Sequence, residues 1–118
     1  MNVKIAEHAV TFKITEHELH SLQLGNNLRQ KVKIGQNFVE ITINQDSGGQ
    51  ADDHFRLLAL KLVFDHPGAC LTLYAPPATI NDLANLGRNR AGIIVQQDDL
   101  ELTLQVDVRS RPSTQQQF

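Results

Sequence analysis

Polar and apolar residues alternate with a period of two through most of this chain, and the alternation breaks at two short helical stretches, so the pattern predicts a strand-rich domain carrying two helices. Val3 and Ile5, then Val10, Phe12 and Ile14, fall toward one side of two strands joined at Ala6-Glu7-His8. The second strand runs into a helix start. Thr15 is followed three residues on by Glu18, the spacing of a capping box, with Ile14 and Leu19 placed to close a hydrophobic staple. Leu19 and Leu22 give that helix its apolar side, Glu16, His17, His20 and Gln23 its solvent side, and Gly25 a left-handed stop.

Alternation resumes with Leu28, Gln30, Val32 and Ile34 against Arg29, Lys31 and Lys33, turns at Gly35-Gln36-Asn37, and continues with Val39, Ile41 and Ile43 inward. Residues 45–54 are polar, contain paired glycines and show no period, which marks a linker. Phe55 to Phe64 is apolar on both faces apart from Arg56 and Lys61, the pattern of a strand buried on two sides or lying centrally. Beyond the turn Asp65-His66-Pro67-Gly68, Ala69 to Tyr74 is the next strand. Ala75-Pro76-Pro77-Ala78 leads to Thr79, which reads as the cap of a second helix containing Ile80, Leu83, Ala84 and Leu86 and ended by Gly87. Ile93 to Val95 and Leu100 to Val106 form a last hairpin around Gln96-Gln97-Asp98-Asp99.

The two halves match element for element. Thr15 corresponds to Thr79 and Gly25 to Gly87, and Val39-Glu40-Ile41-Thr42-Ile43 matches Leu100-Glu101-Leu102-Thr103-Leu104 at a constant offset of 61, from 39 to 100 and from 43 to 104. The second helix reads two residues shorter than the first. The expected fold is α+β: about eight short antiparallel strands, closed into a barrel or split into two sheets, with two short helices and an internal strand–strand–helix–strand–strand duplication about a pseudo-two-fold axis. Residues 1–108 then make a single domain, with repeat one at 1–44, the linker at 45–54 and repeat two at 55–108. The polar residues 109–118 read as a disordered tail.

Composition narrows the class. At 118 residues and 41% hydrophobic the chain can bury one core without a metal or disulfide, and Cys70 is its lone cysteine. Met1 to Ile14 alternates and contains Lys4, Glu7 and Lys13, so it reads as paired strands rather than a secretion signal, and no apolar run is long enough for a spanning helix. A soluble protein is expected, without a membrane association. The formal charge of -2 and a pI near 6.2 argue against nucleic acid or acidic lipid as the general partner.

The opening Met-Asn-Val-Lys-Ile, followed by Val10-Thr-Phe-Lys-Ile-Thr-Glu-His-Glu-Leu19, resembles the start of a family of short, uncharacterised bacterial proteins that begin with a Met-Lys-Ile-like strand and carry a Thr/Ser-x-x-Glu-capped helix. The resemblance runs broadly over residues 1–107. It implies a bacterial cytoplasmic protein and carries over no catalytic residue. Where that family prefers Arg on the second strand, this chain has Thr11 and Lys13.

Candidate chemistry is sparse. His17 and His20 lie three apart rather than the four a helical zinc-protease motif requires, and Glu18 already serves the capping box. Asp52-Asp53-His54 and Asp65-His66 fit acidic turns. Arg29, Lys31 and Lys33 project from one side of a strand, with Lys13 and Lys4 sharing the outward sense, and such a row is favourable only opposite acids such as Glu40 and Glu101 or under a bound anion. Gly87-Arg88-Asn89-Arg90-Ala91-Gly92 follows a helix instead of preceding one, so it is not a phosphate loop. Cys70 lies in an apolar run without an activating neighbour. No cofactor, metal or catalytic group is implied. The reading is a non-catalytic binding or interaction module whose partner is another protein or a second copy met through an exposed strand edge. Its alternative is a small enzyme or carrier gathering Lys13, Arg29, Lys31, Lys33, Arg88 and Arg90 around a phosphate- or carboxylate-bearing small molecule.

Overall fold

Each run of alternating residues pairs with its neighbour in sequence, giving four antiparallel hairpins. The computed structural model of the chain describes residues 1–45, 57–65, 68–86 and 91–107. Along them run β1 (Asn2–Ala6), β2 (Ala9–Ile14), α1 (Glu16–Gln23), β3 (Leu28–Ile34), β4 (Asn37–Asn44), β5 (Ala59–Asp65), β6 (Gly68–Tyr74), α2 (Pro77–Asn85), β7 (Ile93–Gln97) and β8 (Leu100–Val106). The strands form two four-stranded sheets rather than a closed barrel, the first ordered β1-β2-β8-β7 and the second β3-β4-β6-β5. Each sheet therefore takes one hairpin from each half of the chain. The joints between hairpins, β2 with β8 and β4 with β6, are parallel, so both sheets are mixed where alternation alone had indicated antiparallel pairing throughout.

Exchanging the halves maps β1, β2, α1, β3 and β4 onto β5, β6, α2, β7 and β8, and so maps the first sheet onto the second. The registers of the joints agree with this in detail. Phe12 lies beside Leu104 and Leu73 beside Ile43, both related by the offset of 61 (12 to 73, 43 to 104). The same offset relates the threonine pairs at the middle of the two outer faces, Thr11 beside Thr103 and Thr72 beside Thr42. The Thr42 hydroxyl donates to Thr72 Oγ1 at 2.9 Å. Such cross-strand pairs hold the two halves in register. The inner faces share one core, in which Phe12 and Ile14 of β2, Leu104 of β8, Ile43 of β4 and Leu73 of β6 meet Leu22 of α1 and Ile80 and Leu83 of α2.

The first helix starts as its sequence indicates. Glu18 N donates to Thr15 Oγ1 at 3.0 Å while Thr15 N donates to Glu18 Oε1 at 2.9 Å, and Gly25 ends the helix at φ +93°. Glu18 also accepts the α-ammonium of Met1 at 2.9 Å through its other oxygen, tying β1 to the helix. Burial works to raise the Glu18 pKa, but the Thr15 backbone bond, the ammonium and the Thr15 hydroxyl outweigh it and hold the carboxyl below its ordinary 4.5. A depressed carboxyl stabilises the fold above its unfolded pKa and loses that contribution as pH falls through the folded value. Thr15→Ala is expected to cost about 1 kcal/mol. In urea titrations the midpoint gap between wild type and Glu18→Gln should narrow from pH 7 to pH 3, and a constant gap would show that the ionised carboxylate is not what the cap uses.

Two readings of the second half are corrected. Thr79 does not cap α2: the helix begins at Pro77 with Pro76 as its N-cap and no side-chain cap bond. Proline is tolerated at the first helical position because the N–H it lacks would be unpaired there anyway. Thr79 is fully buried in the first turn, where its hydroxyl donates to the Leu57 carbonyl at 2.7 Å. Thr15 therefore corresponds to Pro76, again at an offset of 61, and α2 is one residue longer than α1, nine against eight. The apolar strand β5 is not central either. It is the edge of the second sheet, with Leu62, Val63 and Phe64 exposed. The helix stop at Gly87, all of the linker except Gln45, and the tail lie outside the described residues.

Candidate functional site

The outward residues of β3, β4, β6 and β5 form rows across the second sheet. Arg29, Thr42, Thr72 and Lys61 make one row, Lys31, Glu40, Cys70 and Val63 the next, and Lys33, Phe38, Gly68 and Asp65 the third. Arg29 Nε forms an ion pair with Glu40 Oε2 at 3.2 Å, and the Lys31 ammonium stands 4.3 Å from the centre of the Phe38 ring. The hairpin partner β4 thus pairs Arg29 and supplies a ring to Lys31, while Lys33 has no ion pair among the described residues. Glu101 belongs to the first sheet, between Ala9 and Gln96, and takes no part.

Lys13 also belongs to the first sheet. Its row is Asn2, Lys13 and Gln105, next to the row holding Lys4 and Thr11. These five side chains line a cavity of about 300 Å³ on the outer face. Neither lysine has an acidic partner among the described residues. Two ammonium groups with two carboxamides and a hydroxyl can receive a small anion there. The structure thus brings Lys13 to Lys4 and keeps Arg29, Lys31 and Lys33 together on another sheet, while Arg88 and Arg90 lie outside the described residues. His17 and His20 are exposed on α1, and no group of three metal-capable side chains occurs among the described residues. Cys70 is a half-buried free thiol, its Sγ 3.4 Å from the Thr72 hydroxyl oxygen. Asp52, Asp53, His54 and His66 lie outside the described residues.

The sequence reading of an exposed strand edge named no strand, and the structure shows which edges the sheets leave open. An edge strand offers unpaired N–H and C=O groups to any passing strand unless charge, brevity or a cover prevents it. Of the four edges, β3 carries Arg29, Lys31 and Lys33, β1 carries Lys4, and β7 has only five residues. The edge strand β5 has seven residues and exposes Leu62 by 51%, Val63 by 44% and Phe64 by 80%. It carries Lys61 and Asp65 on its outer face, and its edge backbone is held at one point. The Gln97 carboxamide at the end of β7 accepts from Leu60 N at 3.0 Å and donates to Leu60 O at 3.4 Å, closing that residue's edge groups. Because backbone groups alternate in direction along a strand, Leu62 and Phe64 present theirs to the same side as Leu60. No described residue takes them.

The chain matches no family model, no curated protein and no solved structure, so the resemblance of its opening segment is not carried into a family assignment. No described helix is long and apolar enough to cross a membrane.

Proposed function

We propose that the protein is a non-catalytic interaction module of a bacterial cytoplasm that binds by accepting a strand at β5 of the second sheet. The observation that carries this is the open apolar edge: three successive exposed apolar side chains on a strand whose Leu62 and Phe64 backbone groups have no partner among the described residues. Strand addition draws affinity from such main-chain groups and specificity from alternate side chains. The test is a selection of displayed seven-residue peptides on wild type and on Phe64→Pro, which removes an edge-facing N–H but no bond to β6. Peptides held by wild type and released by the variant are expected. Failure of monomeric wild type to select any, or equal retention by both, would overturn the reading.

The alternative, a carrier of a phosphate- or carboxylate-bearing small molecule, is favoured by the cavity at Lys4 and Lys13. It gains if inorganic phosphate raises the melting temperature saturably and equally in both proteins.

A further inference from the structure

We infer that the strand accepted at β5 is β5 of a second copy of this chain, paired antiparallel about a two-fold axis at Val63; the inference rests on the strand-addition reading above. The free side of β5 offers the backbone groups of Leu60, Leu62 and Phe64, and Gln97 already holds those of Leu60. An incoming antiparallel strand must bond at the other two. Setting Leu62 opposite Phe64 of the second copy uses every remaining edge group on both chains, in two hydrogen-bonded pairs flanking the dyad. Centring on Leu62 instead would bring Phe64 against the occupied Leu60. Centring on Phe64 would run Leu62 beyond the end of the strand at Asp65.

The register that the backbone selects is also the one that matches the side chains. On the outer face it places Lys61 opposite Asp65 of the second copy, and Asp65 opposite Lys61, with Val63 against itself between them. Neither charge has an ion pair among the described residues, and opposite charges directly across a strand pair stabilise it. On the inner face it sets Leu62 against Phe64 at both flanks, bringing together two exposed apolar side chains. Among the described residues the approach to this edge is open. The first sheet reaches β5 at Leu60 through Gln97 and leaves Leu62 and Phe64 uncovered. The β5–β6 hairpin also has six register pairs from Leu60–Leu73 to Asp65–Gly68, where its counterpart has four from Val3–Phe12 to Ala6–Ala9. The additional pairs carry Phe64 and Asp65.

Sedimentation equilibrium on the full chain tests this. Wild type is expected to reach twice the 13.2 kDa of the chain at micromolar concentration. Lys61→Asp and Asp65→Lys each set like charges opposite one another at both flanks, and each should weaken self-association by about tenfold or more. The double exchange, Lys61→Asp with Asp65→Lys, restores opposite charges only in this register and should return the midpoint to near wild type. Phe64→Pro should stay folded by circular dichroism and sediment as a monomer. Unchanged dimers in the single reversals, or no rescue by the double exchange, would refute the register. A wild type that stays monomeric while displayed peptides bind at β5 would refute self-pairing and leave strand addition standing; a monomer that selects no peptide would remove both.

Discussion

Phe12→Ala is expected to lower stability by about 3–5 kcal/mol, roughly a drop of 10–25 °C in melting temperature for a domain of this size. Phe12 is fully buried, the largest side chain on the inner face of β2, and it stands where the halves meet, between Val3 on β1 and Leu104 on β8. Truncation removes the transfer energy of the ring and leaves a cavity that neighbours on a hydrogen-bonded ladder cannot close. Total stability of such domains is about 5–15 kcal/mol, so the variant would sit near the folding limit. Urea unfolding followed by circular dichroism should show a much lower midpoint with an unchanged slope. A loss below about 1 kcal/mol would mean that the ring does not fill the shared core.

Positions such as Phe12 were legible because burial follows the polarity of the residue itself. Val10, Phe12, Ile14 and Ile43 reach the core that the period of two assigns them, and the Thr15–Glu18 box forms because its partners lie within one helical turn. What lies beside each hairpin was not legible. The same alternation serves a parallel or an antiparallel neighbour, and the placement of Phe12 beside Leu104 depends on contacts between opposite ends of the chain. The offset of 61 holds one further signal: carried back from the last strand to Thr15, it lands on Pro76, the N-cap of the second helix.

The candidate site divides along the same line. The β3 basic row and the Arg29–Glu40 pair follow from the local hairpin, whereas the row's separation from Lys13 follows from the split into two sheets. Its edge position also gives the row a role. Three like charges on β3 discourage a second strand from pairing there, so the open edge of the second sheet is the β5 side. The reading of β5 as buried on two sides or lying centrally is wrong for the single chain, where it is an edge; addition of a second β5 would make it central.

Gly92→Ala is expected to be the other severe substitution, at about 2–5 kcal/mol from two independent costs. Gly92 leads into β7 at φ +71°, a left-handed conformation that costs an L-residue roughly 1–2 kcal/mol. A Cβ there would also collide with the Leu104 carbonyl oxygen and stand 2.7 Å from Gln105 Cβ and 2.8 Å from Gln105 Cα. Those atoms belong to the backbone and Cβ of β8, which is paired on both sides, so they cannot withdraw without disturbing the joint at which Phe12 packs. Gly25 isolates the first cost, because it is left-handed at φ +93° with nothing within 4 Å of the added carbon. Gly25→Ala should therefore lose only about 1–2 kcal/mol. Thermal unfolding of the two variants side by side decides the matter: equal losses would show that β8 yields to the new methyl group, while a clearly larger loss at Gly92 places the close approach of β7 to β8 among the contacts that hold the first sheet together.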